Sequence, residues 1–340
     1  MAKTKSTALA KRSLDSFQMF QSKQFVSGYQ NLVTIQPLNK SKTRGWFIRK
    51  SDLDACGWTA VEDDFAVGSV IWDYKQIFGM APNTSTEEGL NFTAPRLQIL
   101  LRSPLMVEET GGMRQTIGTF ENEDIKALWD EDKEKADLAN SKGEMYKRQY
   151  SVRTKYLIYI LTKDNKRAHK TPIVLTVKGL NGTDLSEKVK LFEKEMSKCL
   201  SKALDAEVPL QFNEKFHATT VFCPVLANEM RGANNVEICA VESFDIPDYS
   251  TNEDAVASLD TLTIPDEDRE STWKFQDMFE DYINIHSQQD AKRLKGAYGM
   301  AEGVNILPAN RTVDAVAVEA LPSRNNDTGE DASLWLRSWI

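Results

Sequence analysis

Apolar and polar residues alternate from Tyr150 to Leu161, and a period of two predicts a strand with two distinct faces. One face is Tyr150, Val152, Thr154, Tyr156, Ile158 and Ile160, which reads as core. The other begins wet with Ser151, Arg153 and Lys155 and turns apolar at Leu157, Tyr159 and Leu161. β-Branched and aromatic residues of this kind suit a pleated, half-buried surface. Ile173 to Val177 reads as the return strand, with Pro172 at its start, where a missing N–H is tolerated. The connection carries Lys163, Lys166, Arg167, His169 and Lys170 against one acid, Asp164. The pattern then changes period. Asp184 and Glu187 form a capping box, and Leu185, Val189, Phe192, Met196, Leu200 and Ala203 recur at helical spacing. Lys188, Lys190, Lys194, Lys198 and Lys202 occupy the remaining surface of that helix.

The same reading places short strands at Leu32–Leu38, from Gly45 through Ile48, at Val67–Ile77, Leu90–Leu101, Pro104–Glu109, Gln115–Phe120, Phe216–Leu226 and Val236–Phe244. Ser51 to Cys56 reads as a helical turn ended by Gly57, and Glu121–Ser141 as a charged helix with Ile125, Leu128 and Trp129 on its apolar side. Strands that come in hairpins and runs argue for α+β: a mostly antiparallel sheet, OB-like if it closes into a barrel, with two packed helices. Residues 1–14 read as a disordered basic N-terminus and 15–246 as the β-rich body. Residues 247–340 read as an arm: an acidic, Pro-punctuated linker over 247–270, an amphipathic helix over 272–294 and a flexible tail. The tail closes on Leu334-Trp335-Leu336-Arg337-Ser338-Trp339-Ile340.

Charge sharpens this division. The net charge is −8, but residues 1–50 carry +9, residues 145–205 carry +8 and residues 245–281 carry −10. Such segregation suggests a basic working body and an acidic appendage. The N-terminus has no apolar segment of the signal-peptide kind, and no apolar run is long enough to span a bilayer. Cys56, Cys199, Cys223 and Cys239 are scattered, with no C-x-x-C pair, so they read as buried free thiols in a reducing, cytoplasmic setting.

Thr43 to Trp58, TRGWFIRKSDLDACGW, and Lys155 to Gly179, KYLIYILTKDNKRAHKTPIVLTVKG, carry a resemblance. Gly-Trp-Phe-Ile, an Ala-Cys-Gly-Trp turn, and later a Tyr-rich strand with His-x-x-Pro are similar to an uncharacterised family of cyanobacterial proteins, a domain of unknown function. The resemblance covers roughly the first 245 residues. It implies a cytoplasmic setting and supplies no activity and no site residues.

Candidate chemistry is sparse. His169, His217 and His286 are dispersed, and the phosphate-loop, dinucleotide-binding, nucleophile-elbow and zinc-protease motifs are missing. Trp129-Asp130-Glu131-Asp132 offers carboxylates for a divalent ion, although such density on a helix is usually a solvated face. Basic residues interleaved with aromatics fit single-stranded nucleic acid better, since such binders join a cationic groove to rings under the bases. The candidates are Arg44, Trp46, Arg49, Arg153, Lys155, Tyr159, Lys163, Lys166, Arg167 and Lys170. The reading is therefore sequence-tolerant binding of single-stranded nucleic acid without catalysis, metal or cofactor. The alternative is a structural or adaptor protein that recruits a partner through Phe275, Phe279, Tyr282, Trp335, Trp339 and Ile340. An enzyme of unknown class is the third. The acidic tail with its apolar tip is similar to bacterial single-strand binding proteins in layout alone.

Overall fold

The computed structural model describes residues 32–38, 44–66, 69, 76–77, 86–110, 115–231 and 236–298, with side chains up to residue 284. The expectations for residues 1–14, for most of Val67–Ile77 and for the tail beyond residue 298 lie outside these.

The fold is α+β, a curled, mixed half-barrel sheet with helices on it. The strands used below are β1 (Thr34–Pro37), β2 (Trp46–Arg49), β3 (Gln76–Ile77), β4 (Thr86–Glu87), β5 (Gly89–Phe92), β6 (Arg96–Arg102), β7 (Met106–Glu109), β8 (Gln115–Thr119), β9 (Tyr150–Leu161), β10 (Ile173–Lys178), β11 (Val221–Phe222), β12 (Pro224–Arg231) and β13 (Val236–Phe244). The helices are α1 (Lys50–Cys56), α2 (Glu123–Ser141), α3 (Gly179–Ala203), α4 (Glu214–His217), α5 (Asn252–Leu262) and α6 (Asp266–Tyr298). The sheet runs β11-β6-β9-β10-β1-β2-β5, and β1 lies parallel to β10 while the other pairs are antiparallel.

β9 is the axis of this sheet. At 12 residues it is long enough to take two neighbours on one edge. Its first four residues pair with β7, and Tyr156 to Leu161 pair with β6. Ser103, between those two strands, is stitched to β9: its N–H donates to the Lys155 carbonyl at 2.8 Å and its Oγ accepts from the Lys155 N–H at 2.9 Å. Tyr156 through Leu161 are all fully buried, so both faces of this half-strand are covered. Tyr156 lies beside Ser186 of α3. Tyr159 meets Phe275 of α6 with ring centroids 6.1 Å apart. Successive side chains of one strand thus feed two different helix layers. Over the first half, α2 closes a separate small core of Val107, Phe120, Ile125 and Trp129 against Tyr150 and Val152.

Several boundaries differ from the sequence reading. α3 begins at Gly179, five residues before Asp184. The Asp184 carboxylate leaves the capping role and accepts the Val241 N–H of β13 at 2.6 Å, with Arg231 at 3.2 Å. The expected strand Phe216–Leu226 is broken into α4, β11 and β12. Asn213 caps the turn by accepting from the N–H groups of Lys215 and Phe216, and the Thr219 and Thr220 hydroxyls bond back to the carbonyls of Phe216 and His217.

The acidic stretch is the largest correction. Residues 247–270, read as a linker, contain α5 and the start of α6. Thr251 and Asp254 form a reciprocal capping box, and Glu253 and Asp254 lie in the first turn, where the helix dipole favours acids. Pro247 and Pro265 bracket α5 and do not interrupt it. Both helices pack on the body, so more helices cover the sheet than the two expected.

Candidate nucleic-acid interface

The loop from Thr162 to Thr171 holds half of the cations singled out above, and its conformation follows from local bonds. Asn165 sits at φ 61°, a left-handed conformation that Asn tolerates. Its N–H donates to the Thr162 carbonyl at 3.0 Å, and the Thr162 N–H donates to the Lys166 carbonyl at 2.8 Å. The loop is then occupied from within the chain. The Asn165 Oδ1 accepts from Arg96 Nε at 3.0 Å and Nη2 at 2.6 Å, while its Nδ2 donates to the carbonyls of Thr261 and Thr263 at the end of α5. Arg167 donates to Gln98 Oε1 at 3.2 Å, Ser271 Oγ at 3.0 Å and Thr272 Oγ1 at 2.7 Å. Its guanidinium lies 4.4 Å from the Tyr159 ring centre and 5.5 Å from that of Phe275.

This arrangement places the ten expected nucleic-acid residues in unlike surroundings. Trp46 is 2% exposed and Tyr159 is fully buried, so neither ring can stack on a base in this conformation. The Tyr159 hydroxyl donates to the Lys170 carbonyl at 3.2 Å, and burial pushes its pKa up to about 12. Arg153 is paired with the buried Glu108, which Lys178 also reaches at 2.9 Å. Lys155 is half-buried on β9, and Arg49 lines a shallow open cleft with Lys50, Ser51 and Glu88. Arg44, Lys163, Lys166 and Lys170 are exposed, with the Lys163 ammonium donating to the Asp63 carbonyl at 2.9 Å. The exposed cations are therefore separated from the rings they were expected to accompany.

The expected partner face is also turned inward. Phe279 is buried, while Phe275 and Tyr282 are half-buried in a run of ring contacts along α6. A helix that spends its apolar stripe on its own sheet does not present it to another protein. Trp335, Trp339 and Ile340 lie outside the described residues.

Other ionisable groups are built into the frame. Asp132 accepts from the Tyr146 hydroxyl at 2.9 Å, from Arg148 Nε at 3.2 Å and from the N–H groups of Gln149 and Tyr150. Asp132, expected with Asp130 and Glu131 on a solvated helix face, is thus a buried structural carboxylate. Among the described residues no group of three or more His, Cys, Asp and Glu side chains is arranged to hold a metal. His169 accepts the Ile160 N–H on Nε2 at 2.9 Å and faces the Thr171 carbonyl with Nδ1 at 2.7 Å, which assigns the proton to Nδ1. Burial holds its pKa down at about 4.

A second series of cations lies on α3. Lys190, Lys194, Lys198 and Lys202 follow at intervals of four residues, so each stands about 6 Å further along the axis and about 40° around it. They line the side away from Leu185, Val189, Phe192, Met196 and Cys199, which are buried. Lys194 and Lys202 are exposed, and Lys198 pairs with Glu195 at 2.7 Å. Burial lowers the Lys190 pKa, with Arg102 nearby adding to the effect.

Arg96, Gln98 and Asn165 were missed by sequence reasoning. One signal was available for Gln98, a single amide inside the apolar strand Leu97–Leu101. Among the described residues no helix is long and apolar enough to cross a membrane.

A family model described as Domain of unknown function (DUF5895) matches residues 30–262, and the chain belongs to that family. Neither the curated proteins nor the solved structures contain a match to it.

Proposed function

We propose that this family member binds single-stranded nucleic acid in a sequence-tolerant, non-catalytic manner, through phosphates along α3. The observation that carries the reading is the lysine series Lys190, Lys194, Lys198 and Lys202 on the outward side of a helix whose opposite side is anchored in the core. Rigid backbone under a row of cations suits a ligand with regularly spaced negative charge. The ring-stacking part of the original expectation drops out of this reading, because Trp46 and Tyr159 are buried. The curl of the sheet supports an OB-like relationship, and the four buried thiols support a reducing cytoplasmic setting.

The test is a salt titration of binding to a labelled oligonucleotide. With each lysine–phosphate contact, the logarithm of affinity should fall by about 0.7 per logarithm of salt concentration. Replacing the four lysines by Ser should flatten that slope by up to about three. An unchanged slope would remove α3 as the interface, and no binding at low salt would remove the ligand class.

A further inference from the structure

α6 covers the sheet with the wrong composition for a permanent core element. Its inward side inserts Thr272 and Gln276, both buried, beside the apolar Phe279 and Ile283. Its bonds to the sheet are polar: Thr272 Oγ1 accepts from Gln98 Nε2 at 2.8 Å and from Arg167, and Gln276 Nε2 donates to the Leu100 carbonyl at 2.9 Å. Hydrogen bonds exchanged for water contribute little net stability, so a seam that leans on them opens more readily than an apolar one.

What α6 covers has a defined chemistry. Arg167 lies on the ring of Tyr159, with the amide of Gln98 beside it and the exposed Lys163, Lys166 and Lys170 on the same loop. A stacked guanidinium and ring accept the flat face of a base, the amide can meet a base edge, and the lysines suit phosphates. α6 meets this place with neutral groups: the Ser271 and Thr272 hydroxyls accept from the Arg167 guanidinium and the Phe275 ring lies 6.1 Å from that of Tyr159, while six of its seven acids over residues 266–284 are exposed.

We propose that α6 is an intramolecular stand-in for single-stranded nucleic acid, with Phe275 in the place of a base and the Ser271 and Thr272 hydroxyls on the guanidinium, and that it covers a second surface for that ligand built on Tyr159, Arg167 and Gln98. The ligand class rests on the reading given above, while the surface is a different one, across the sheet from α3. Nucleic acid and α6 then compete, and α6 lowers the apparent affinity by the fraction of molecules in which it is docked.

The experiment uses the full chain and a labelled oligothymidylate. Gln276→Ala removes the two bonds from its amide to the Leu100 and Glu214 carbonyls and should raise affinity about fivefold. Phe275→Ala, which also removes a ring contact, should raise it further, and adding Arg167→Ala should abolish the gain. Hydrogen exchange of amides 266–284 should accelerate when oligonucleotide is added, and the same measurement without ligand verifies that each variant is folded. If both variants bind as the parent does while loss of the α3 lysines weakens binding, the covered surface is overturned and α3 stands as the interface. If no form binds oligothymidylate, both proposals fall.

Discussion

α3 and α6 cover opposite sides of β9, and they are attached by different physics. α3 buries Leu185, Val189, Phe192, Met196 and Cys199, and Phe192 packs at 5.3 Å from Phe222 and 6.2 Å from Phe244. α6 buries Phe279 and Ile283, sets the half-buried Phe275 against Tyr159, and adds hydrogen bonds to Gln98, Arg167 and the Leu100 carbonyl. Burying one large apolar side chain is worth about 1.5–3 kcal/mol, whereas a protein hydrogen bond replaces one already made with water. An apolar seam therefore makes a helix part of the fold, and a polar seam makes it specific in register but exchangeable. The outward sides carry the contrast further, lysines on α3 and acids on α6.

The largest effect expected from this comparison is on global stability. Phe192→Ala should cost about 3–5 kcal/mol in urea unfolding, through lost burial and the cavity it leaves. Phe279→Ala should cost less globally and should mainly release α6, seen as faster exchange over residues 266–284. Equal losses, with exchange unchanged in α6, would erase the distinction between the two helices.

The next effect is that of pH on the layer beneath α6. His169 is neutral in the folded protein, with its pKa lowered from 6.5 to about 4 by burial. The unfolded chain therefore takes up the proton first as pH falls. Stability should decline between about pH 6.5 and pH 4, by on the order of 3 kcal/mol in total, and His169 should add no further loss below that. His169→Gln, compared with the parent by denaturant titration at several pH values, should remove that slope. A slope that persists would assign it to other groups.

A smaller effect is expected at the latch itself. Asn165→Ala leaves the Arg96 guanidinium and the Thr261 carbonyl with only their bond to each other and takes the side-chain donor from the Thr263 carbonyl, and should cost about 1–3 kcal/mol. The loss should be shared by α5 and α6 in hydrogen exchange and should spare α3. The smallest is at the α3 surface, where replacing Lys194 and Lys202 by Ser should change stability by no more than about 0.5 kcal/mol. A larger loss there would make those lysines structural and undercut their use as an interface.

The regular elements were legible along the chain because their information is local. Alternation over Tyr150–Leu161 gave β9, the step of three and four from Leu185 gave α3, and Gly57, at φ 68°, ended α1 where the residue type requires it. α5 was missed even though its capping box is local. Acids and prolines at its borders resemble a solvated linker, and only the docking of Ala255 and Leu262 supplies the burial that makes a helix there worthwhile.

By itself, then, the sequence determined the strand and helix periods, the charge segregation and the set of basic and aromatic residues around the β9–β10 loop. Which of those residues meet solvent was decided only by the tertiary structure. Alternation tells that a strand has two faces but not what covers each one, and Tyr159 reads the same whether a base or Phe275 lies on it. Arg167 likewise reads as a surface cation until Ser271 and Thr272, more than a hundred residues later, arrive at its donors. A contact of that separation leaves no periodic trace in either segment, because each side chain satisfies its own local pattern whether or not the other is present.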